Sequence, residues 1–443
     1  MPSLTPLHET YCRIDDQPLS QADVLEGLAQ LLSSRLGGAV HHLAFAIQRE
    51  ILFNFLGIND LQSQKLMHMP YVKKFYQIAT ETSQHYGKFL LAPGLRHIID
   101  AFPNLHQKKL NASLHFLVGI LNGVLGNYLL HHHNPLAVPM LLYDHYGELQ
   151  QGDLAGKVII FIHGVCMSHV DWTNRRHSGI PDKLLAQRGN KTILYLNYNS
   201  GRRISANGRS LSNLLADLVA RNPQISSIDL IGHSMGGLVA RSALFYGKQE
   251  LHDWMYKTEN LVCLGSPHHG AGLERFSFTI QQKLGNFPIV KLFGHLVNIR
   301  SNGILDLRHG SVRDDDWEHH DMRIGSLDDS RKPAPVPSHV KAFLVAGTLE
   351  YENKTHRALK ILGDYLVSVE SALGEHPNPR FYLKVPDAHK AVFYGLNHFE
   401  IQYHPSVAEQ VAHWLYPAAD EVEEDVVHEY IVDLDNVHGI ALT

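Results

Sequence analysis

Ser234 stands in Gly232-His233-Ser234-Met235-Gly236, a G-x-S-x-G run doubled by Gly237. A serine hydroxyl is a poor nucleophile until a base takes its proton. The base is usually a histidine held by a carboxylate, and the oxyanion formed on attack needs two N–H donors. Where such a serine tops a strand-to-helix turn, its partners follow along the chain in the order serine, acid, histidine. That order selects Asp364, in Gly363-Asp364-Tyr365-Leu366-Val367-Ser368, and His398, in Gly395-Leu396-Asn397-His398-Phe399-Glu400. Asp306 and Asp314-Asp315-Asp316 are rival acids, but they precede the late strand that should deliver the acid. His389 and His404 are rival bases, and spacing alone does not exclude His389. The oxyanion donors expected are the amide of Met235, directly after the nucleophile, and that of Val165, after His163-Gly164. Cys166 is the reserve donor; lacking an elbow of its own, it is not read as a nucleophile.

Each of these residues needs an element to carry it. Ile228 to Ile231 reads as a buried strand, and Leu238 to Leu244 as the helix after the turn. Gly232 and Gly236 lack a Cβ, so strand and helix can approach closely. The helix would aim its free N–H groups at the oxyanion. Further strands are expected at Met140–Asp144, Lys157–Ile162, Thr192–Tyr198, Asn260–Pro267, Val340–Gly347 and Arg380–Val385. Helices are expected at Leu211–Val219 and Ser406–Leu415. Strands alternating with helices predict a mostly parallel α/β sheet flanked by helices, with ligands at the carboxyl ends of its strands.

Residues 1–135 form an N-terminal helical region, residues 136–418 the sheet-bearing domain, and residues 419–443 an acidic tail. Ala22, Val24, Leu25, Leu28, Leu31 and Leu32 recur at helical spacing, and helices also fit Ala39–Phe55 and Tyr71–Gln84. Ala112–Leu130 is apolar over ~19 residues, near the minimum for crossing a bilayer. Asn122, Asn127, Ser113 and His115 interrupt it, so a buried or membrane-surface helix is the reading. The region carries no evident chemistry; structural support, a cap near the site and peripheral membrane contact all fit it. Residues 267–340 form an insertion in which Leu273–Leu296 has helical apolar spacing, fitting either a core helix pair or a lid over Ser234. The tail reads as a solvated extension, with Tyr430-Ile431-Val432 able to add an edge strand.

A hydrophobic fraction of 44% and a charged fraction of 19% fit an ordinary globular protein. The formal charge of −5, with no long basic run, argues against a nucleic-acid partner. Cys12, Cys166 and Cys263 are too scattered for a disulfide framework. The 32 histidines include adjacent pairs, but no H-E-x-x-H or C-x-x-C, so neither a metal site nor a cofactor is expected. Met1 to Glu9 lacks a basic segment followed by an apolar core, so a cytoplasmic location is expected, with membrane association through the helical region as the variant.

Taken together, Phe161-Ile162-His163-Gly164, the Ser234 elbow, Leu264-Gly265-Ser266-Pro267-His268-His269-Gly270, the Asp364 loop and the His398 loop resemble α/β-hydrolases of the lipase/esterase kind. Bacterial triacylglycerol lipases and GPI inositol-deacylase-like hydrolases are the relatives indicated, over about residues 139–416. The resemblance implies an α/β-hydrolase fold, an ester or lipid substrate, and a triad on Ser234, Asp364 and His398 acting through an acyl-enzyme. Tyr365 departs from the glycine usual in the family's acid loop. Glu400 stands where some lipases place a calcium-binding Asp. Two other readings keep the residues but change the outcome: an acyltransferase or thioesterase with the same triad, or a non-catalytic hydrolase-fold protein that binds a lipid or partner.

Overall fold

The computed structural model describes residues 17–34, 92–173, 179–271, 301–318, 331–349, 363–417, 427–431 and 440–442. The chain divides into two compact units. One comprises residues 17–138 and 277–301; the other comprises residues 1–16, 139–276 and 302–443.

In the first unit, α1 (Gln21–Ser33) follows the expected apolar period. Ser20 opens it with a reciprocal capping box, its hydroxyl accepting from the Asp23 amide while the Asp23 carboxylate accepts from the Ser20 amide at 2.9 Å. The apolar run forms α2 (Ala112–His131), capped by the Asn111 side chain. It is long and apolar enough to cross a membrane, yet 67% of its most apolar window is buried inside the protein. Asn122 explains how a polar residue is accommodated there: its amide donates to the Val118 and Leu136 carbonyls and accepts from the Val138 amide. Ser301 closes on the same helix, donating to the Gly123 carbonyl at 2.6 Å. The helices expected at Ala39–Phe55 and Tyr71–Gln84 lie outside the described residues.

The second unit is built on a sheet of nine strands among the described residues. They are β1 (Leu141–Tyr143), β2 (Gly156–Ile162), β3 (Lys191–Asn197), β4 (Ile225–His233), β5 (Thr258–Leu264), β6 (Lys341–Thr348), β7 (Lys390–Tyr394), β8 (His428–Ile431) and β9 (Ile440–Leu442). Their order is β1-β3-β2-β4-β5-β6-β7-β8-β9. Only the outer strands β1 and β9 pair antiparallel; every pairing between is parallel. The central strands are buried on both faces, as their continuous Val, Ile, Leu and Phe runs require. Phe161, Trp172, Ile180, Tyr195, Phe343, Phe393, Val407 and Val411 fill one core layer, to which the helix α5 (Pro405–Leu415) contributes. The helices α3 (Ile204–Arg221) and α4 (Met235–Gln249) pack on each other so closely that a Cβ on Gly208 would run into Ser242. Strand order, parallel central strands and the helices between them make this an α/β-hydrolase fold.

Several elements differ from the sequence expectation. Arg380–Val385 is not a strand; Pro377, Pro379 and Pro386 surround it, and Lys384 takes a positive φ of 51°. The strand that follows β6 in the sheet is instead β7, five residues further on. The helix read as Leu211–Val219 begins at Ile204, because Ser205, Asn207 and Gly208 are buried by packing despite lacking an apolar period. In the tail, Tyr430 and Ile431 do join the sheet, in β8, but not as its edge: β8 pairs with β7 on one side and β9 on the other, and Tyr430 stacks on Phe393 with ring centroids 4.7 Å apart. Val432, the stretch Leu273–Leu296 read as a lid or core helices, and residues 419–426 of the acidic tail lie outside the described residues.

Candidate active site

Strand β4 delivers Ser234 at its carboxyl end, and α4 begins at the next residue. Ser234 has φ 53° and ψ −123°, a conformation that side-chain-bearing residues rarely adopt. Its neighbours permit this because they are glycines. A Cβ on Gly236 would strike the Ile162 carbonyl, and one on Gly232 would strike the Gly236–Gly237 backbone. The Ser234 amide is fixed to the Leu264 carbonyl at 2.8 Å, tying the turn to β5.

The loop after β6 carries Asp364, which is buried. Its Oδ1 accepts from the Leu366 and Val367 amides at 3.0 and 2.8 Å. Its Oδ2 is left for His398 Nδ1, which donates across 2.7 Å. The loop after β7 carries His398, whose own amide donates to the Asp364 carbonyl at 3.1 Å. With Nδ1 as the donor, Nε2 of His398 is the basic nitrogen, and it is buried with no hydrogen-bond partner. The Asp364 carboxylate and the His398 ring converge beside Gly265, where an added Cβ would lie 3.3 Å from Oδ2 and 3.4 Å from Cε1.

His233 joins this histidine loop to the serine turn. Its Nε2 donates to the His398 carbonyl at 2.8 Å, and the two rings lie 4.9 Å apart. The sequence reading missed this latch; the only signal was a histidine at the second position of the G-x-S-x-G run. Asn397 and Glu400 stiffen the same loop. Glu400 accepts from the Asn397 amide at 2.8 Å, and Asn397 Oδ1 accepts from the Phe399 and Glu400 amides. Glu400 therefore has a structural occupation at the position compared with a calcium ligand.

The loop after β2 runs against Ser234, since a Cβ on Gly164 would lie 3.1 Å from the Ser234 Cβ. Met235 opens α4, so its amide is one of the helix donors without an intrahelical acceptor. The amide of Cys166, at φ 59°, donates to Ser200 Oγ at 3.1 Å, which counts against it as an oxyanion donor. His163 is an anchor for this loop: it stacks on Tyr198 at 4.3 Å, and its carbonyl accepts from the Tyr198 hydroxyl at 2.7 Å.

The rival residues are occupied elsewhere. His389 precedes β7, at the opposite end of the strand from His398, about 17 Å away for five residues of strand. His404 caps α5, its Nδ1 accepting from the Ser406 amide. Asp306 pairs with Arg203 and accepts from the Ile204 amide at 2.8 Å. Asp314 pairs with Arg209, Asp315 with Arg313 and Lys332, and Asp316 accepts from the Val312, Arg313 and Lys332 amides.

Comparison with known proteins adds a family. The model of a PGAP1-like alpha/beta domain matches residues 153–376, just over half of the chain. No curated protein sequence matches. Among solved structures, the mature lipase BlEst2 of Bacillus licheniformis is similar at 19% identity, with 62% of this chain and 97% of that chain covered and a TM-score of 0.37. The naproxen esterase of Bacillus subtilis is similar at 16% identity, with 60% and 85% covered and a TM-score of 0.32. The type II thioesterase YbtT of the yersiniabactin pathway is similar at 16%, with 62% and 97% covered and a TM-score of 0.33. At such scores these likenesses carry no argument about substrate.

Proposed function

Since the chain belongs to the PGAP1-like alpha/beta domain family, a family of hydrolase fold, we propose that it is a serine hydrolase cleaving carboxylic esters. The observation that supports this best is the Asp364–His398 pair, bonded at 2.7 Å, with Nε2 of His398 unspent and its loop latched to the residue before Ser234. In this reading His398 Nε2 takes the Ser234 proton as Oγ attacks the acyl carbonyl. The amides of Met235 and Val165 receive the oxyanion. His398 then gives its proton to the leaving alcohol, and an acyl-enzyme forms on Ser234. Water, deprotonated by His398, attacks the acyl carbon; the acid leaves and Ser234 regains its proton. Asp364 holds the imidazole in the tautomer this needs and stabilises its charged form.

The test is hydrolysis of p-nitrophenyl esters of graded acyl length by the full chain and by Ser234→Ala. Loss of at least ~10³-fold in the variant is expected. The chain-length profile then separates a short-chain esterase from a lipase, and a competing alcohol separates transfer from hydrolysis. Equal turnover by the Ser234→Ala protein would overturn the assignment.

A further inference from the structure

A second cluster of polar groups lies outside this machinery, in a small cleft open to solvent and walled by the loops that follow β5 and β6. Arg241, His268, His269, Arg331, Lys332 and Arg380 line it. Arg241 lies on α4 seven residues beyond Ser234, two turns or ~10 Å along the axis. It is buried and forms no ion pair among the described residues; its Nη2 donates to the Ala334 carbonyl at 2.9 Å and its Nη1 to His268 Nδ1 at 3.0 Å.

That last bond fixes the chemistry of His268. A guanidinium only donates, so Nδ1 must accept, and the ring proton resides on Nε2. Nε2 of His268 is buried without a partner, and so is Nε of Arg241. Both orphans are donors. Buried donors left unpaired are costly, and a buried guanidinium without a counter-charge more so. The acid in the wall, Asp316, acts on Arg241 only as a charge at a distance: its carboxylate oxygens accept from the Val312, Arg313 and Lys332 amides and make no hydrogen bond to the guanidinium. Lys332 pairs with Asp315, and the exposed Arg380 side chain forms no ion pair among the described residues. Among the described residues the cleft thus holds unmatched donors and more cationic than anionic side chains, beyond the carboxyl end of β5, the end of a parallel strand at which ligands ordinarily bind.

We propose that this cleft is a phosphate-binding site, with Arg241 Nε and His268 Nε2 as its inner donors and Arg331, Lys332 and Arg380 at its rim. The phosphate belongs either to a small soluble molecule or to a lipid headgroup. The site uses no residue of the triad and stands whether or not the ester-hydrolase reading does. Burial holds the His268 imidazole neutral, with Arg241 adding to the effect, so that it can donate from only one nitrogen. Burial also pulls Arg241 down to about 10, which leaves it charged at neutral pH.

Two arms test the proposal on the full chain. The first is calorimetric titration with inorganic phosphate against chloride at equal ionic strength. The second is co-sedimentation with phosphatidylcholine vesicles with and without phosphatidic acid, in the presence and absence of competing phosphate. Saturable phosphate binding without vesicle retention assigns the site to a soluble ligand. Retention that requires phosphatidic acid and is reversed by phosphate assigns it to a headgroup. In either case Arg241→Met should weaken binding at least ~10-fold, the cost of a lost charge-assisted bond. Because that buried change threatens folding, Arg331→Ala with Arg380→Ala, nearer the surface, provides an independent reading with the same expected direction. No uptake of phosphate or of phosphatidic acid vesicles by the unaltered protein overturns the proposal. So does uptake unchanged in the rim variant.

Discussion

Asp364 and Tyr365 are neighbours with opposite relations to their surroundings. Every oxygen of Asp364 has a donor, two of them backbone amides, so the loop is shaped around the carboxylate. Replacing it with Asn keeps the size but puts an amide NH2 or a weaker carbonyl acceptor against His398 Nδ1 and favours the wrong tautomer. Asp364→Asn should therefore fold normally by circular dichroism and lose ~10⁴-fold in ester kcat, with a much smaller change in KM. Tyr365 pays for its place: its φ of 81° lies in the left-handed region, which costs a side-chain-bearing residue about 1–2 kcal/mol. Its ring is 42% exposed, so little packing is lost on removing it. Tyr365→Gly should raise stability in urea unfolding by about 0.5–1 kcal/mol, after the extra freedom of glycine in the unfolded chain is counted. Tyr365→Ala keeps the strained backbone and should show no gain. A gain with alanine equal to that with glycine would mean that the ring, not the backbone, is the source of strain.

At the scale of elements, the turn between β4 and α4 is built by exclusion. Gly236 faces the Ile162 carbonyl, which cannot move without breaking the β2 ladder. Gly236→Ala should cost several kcal/mol, in the range of the severe backbone effects of about 3–5 kcal/mol, and should abolish esterase activity, read together by thermal unfolding and turnover. Glu400→Ala is a milder test. It frees the Asn397 amide and should cost about 1 kcal/mol, as loss of a comparable cap does, and lower kcat through a looser His398 loop. The turn was legible from sequence because glycine at 232 and 236 is the direct signature of the close approach. The Asp364 and His398 loops were legible from order along the chain. What escaped was set by tertiary contacts. Arg380–Val385 has a strand's alternation, but prolines flank it and Lys384 turns left-handed. The true strand starts with Lys390, a buried lysine that reads as polar until Asp387, Glu375 and the Tyr382 hydroxyl are seen around its ammonium. His233 could not be recognised as a latch because its partner, the His398 carbonyl, is 165 residues away.

Across the whole molecule, the parallel sheet was readable from its uninterrupted apolar strands, whereas the buried titratable groups had no sequence signature, and they set how stability depends on pH. Burial holds His268 well below its ordinary 6.5 and pushes His269 down to about 3. In the unfolded chain both take up a proton near pH 6.5. Their folded values are depressed, so the stability they contribute is complete above pH 6.5 and is lost on acidification, for His269 as pH falls toward 3. Asp306 acts in the opposite sense. Burial, partly offset by Arg203, lifts its carboxyl from 3.8 to about 6, so its contribution is complete below 3.8 and is lost as pH rises through 6. Between pH 4 and 6, therefore, His269 and Asp306 nearly offset each other, and His268 tips the balance toward a loss of stability on acidification. In phosphate-free buffer, His269→Gln should remove one histidine from this balance. The difference in unfolding free energy between it and the unaltered protein should then change by about 1.4 kcal/mol per pH unit between pH 6 and 4. A difference that stays constant with pH would mean that His269 takes up its proton in the folded protein as readily as in the unfolded chain. The wall of the cleft would then admit a charged imidazole even without an anion to face it.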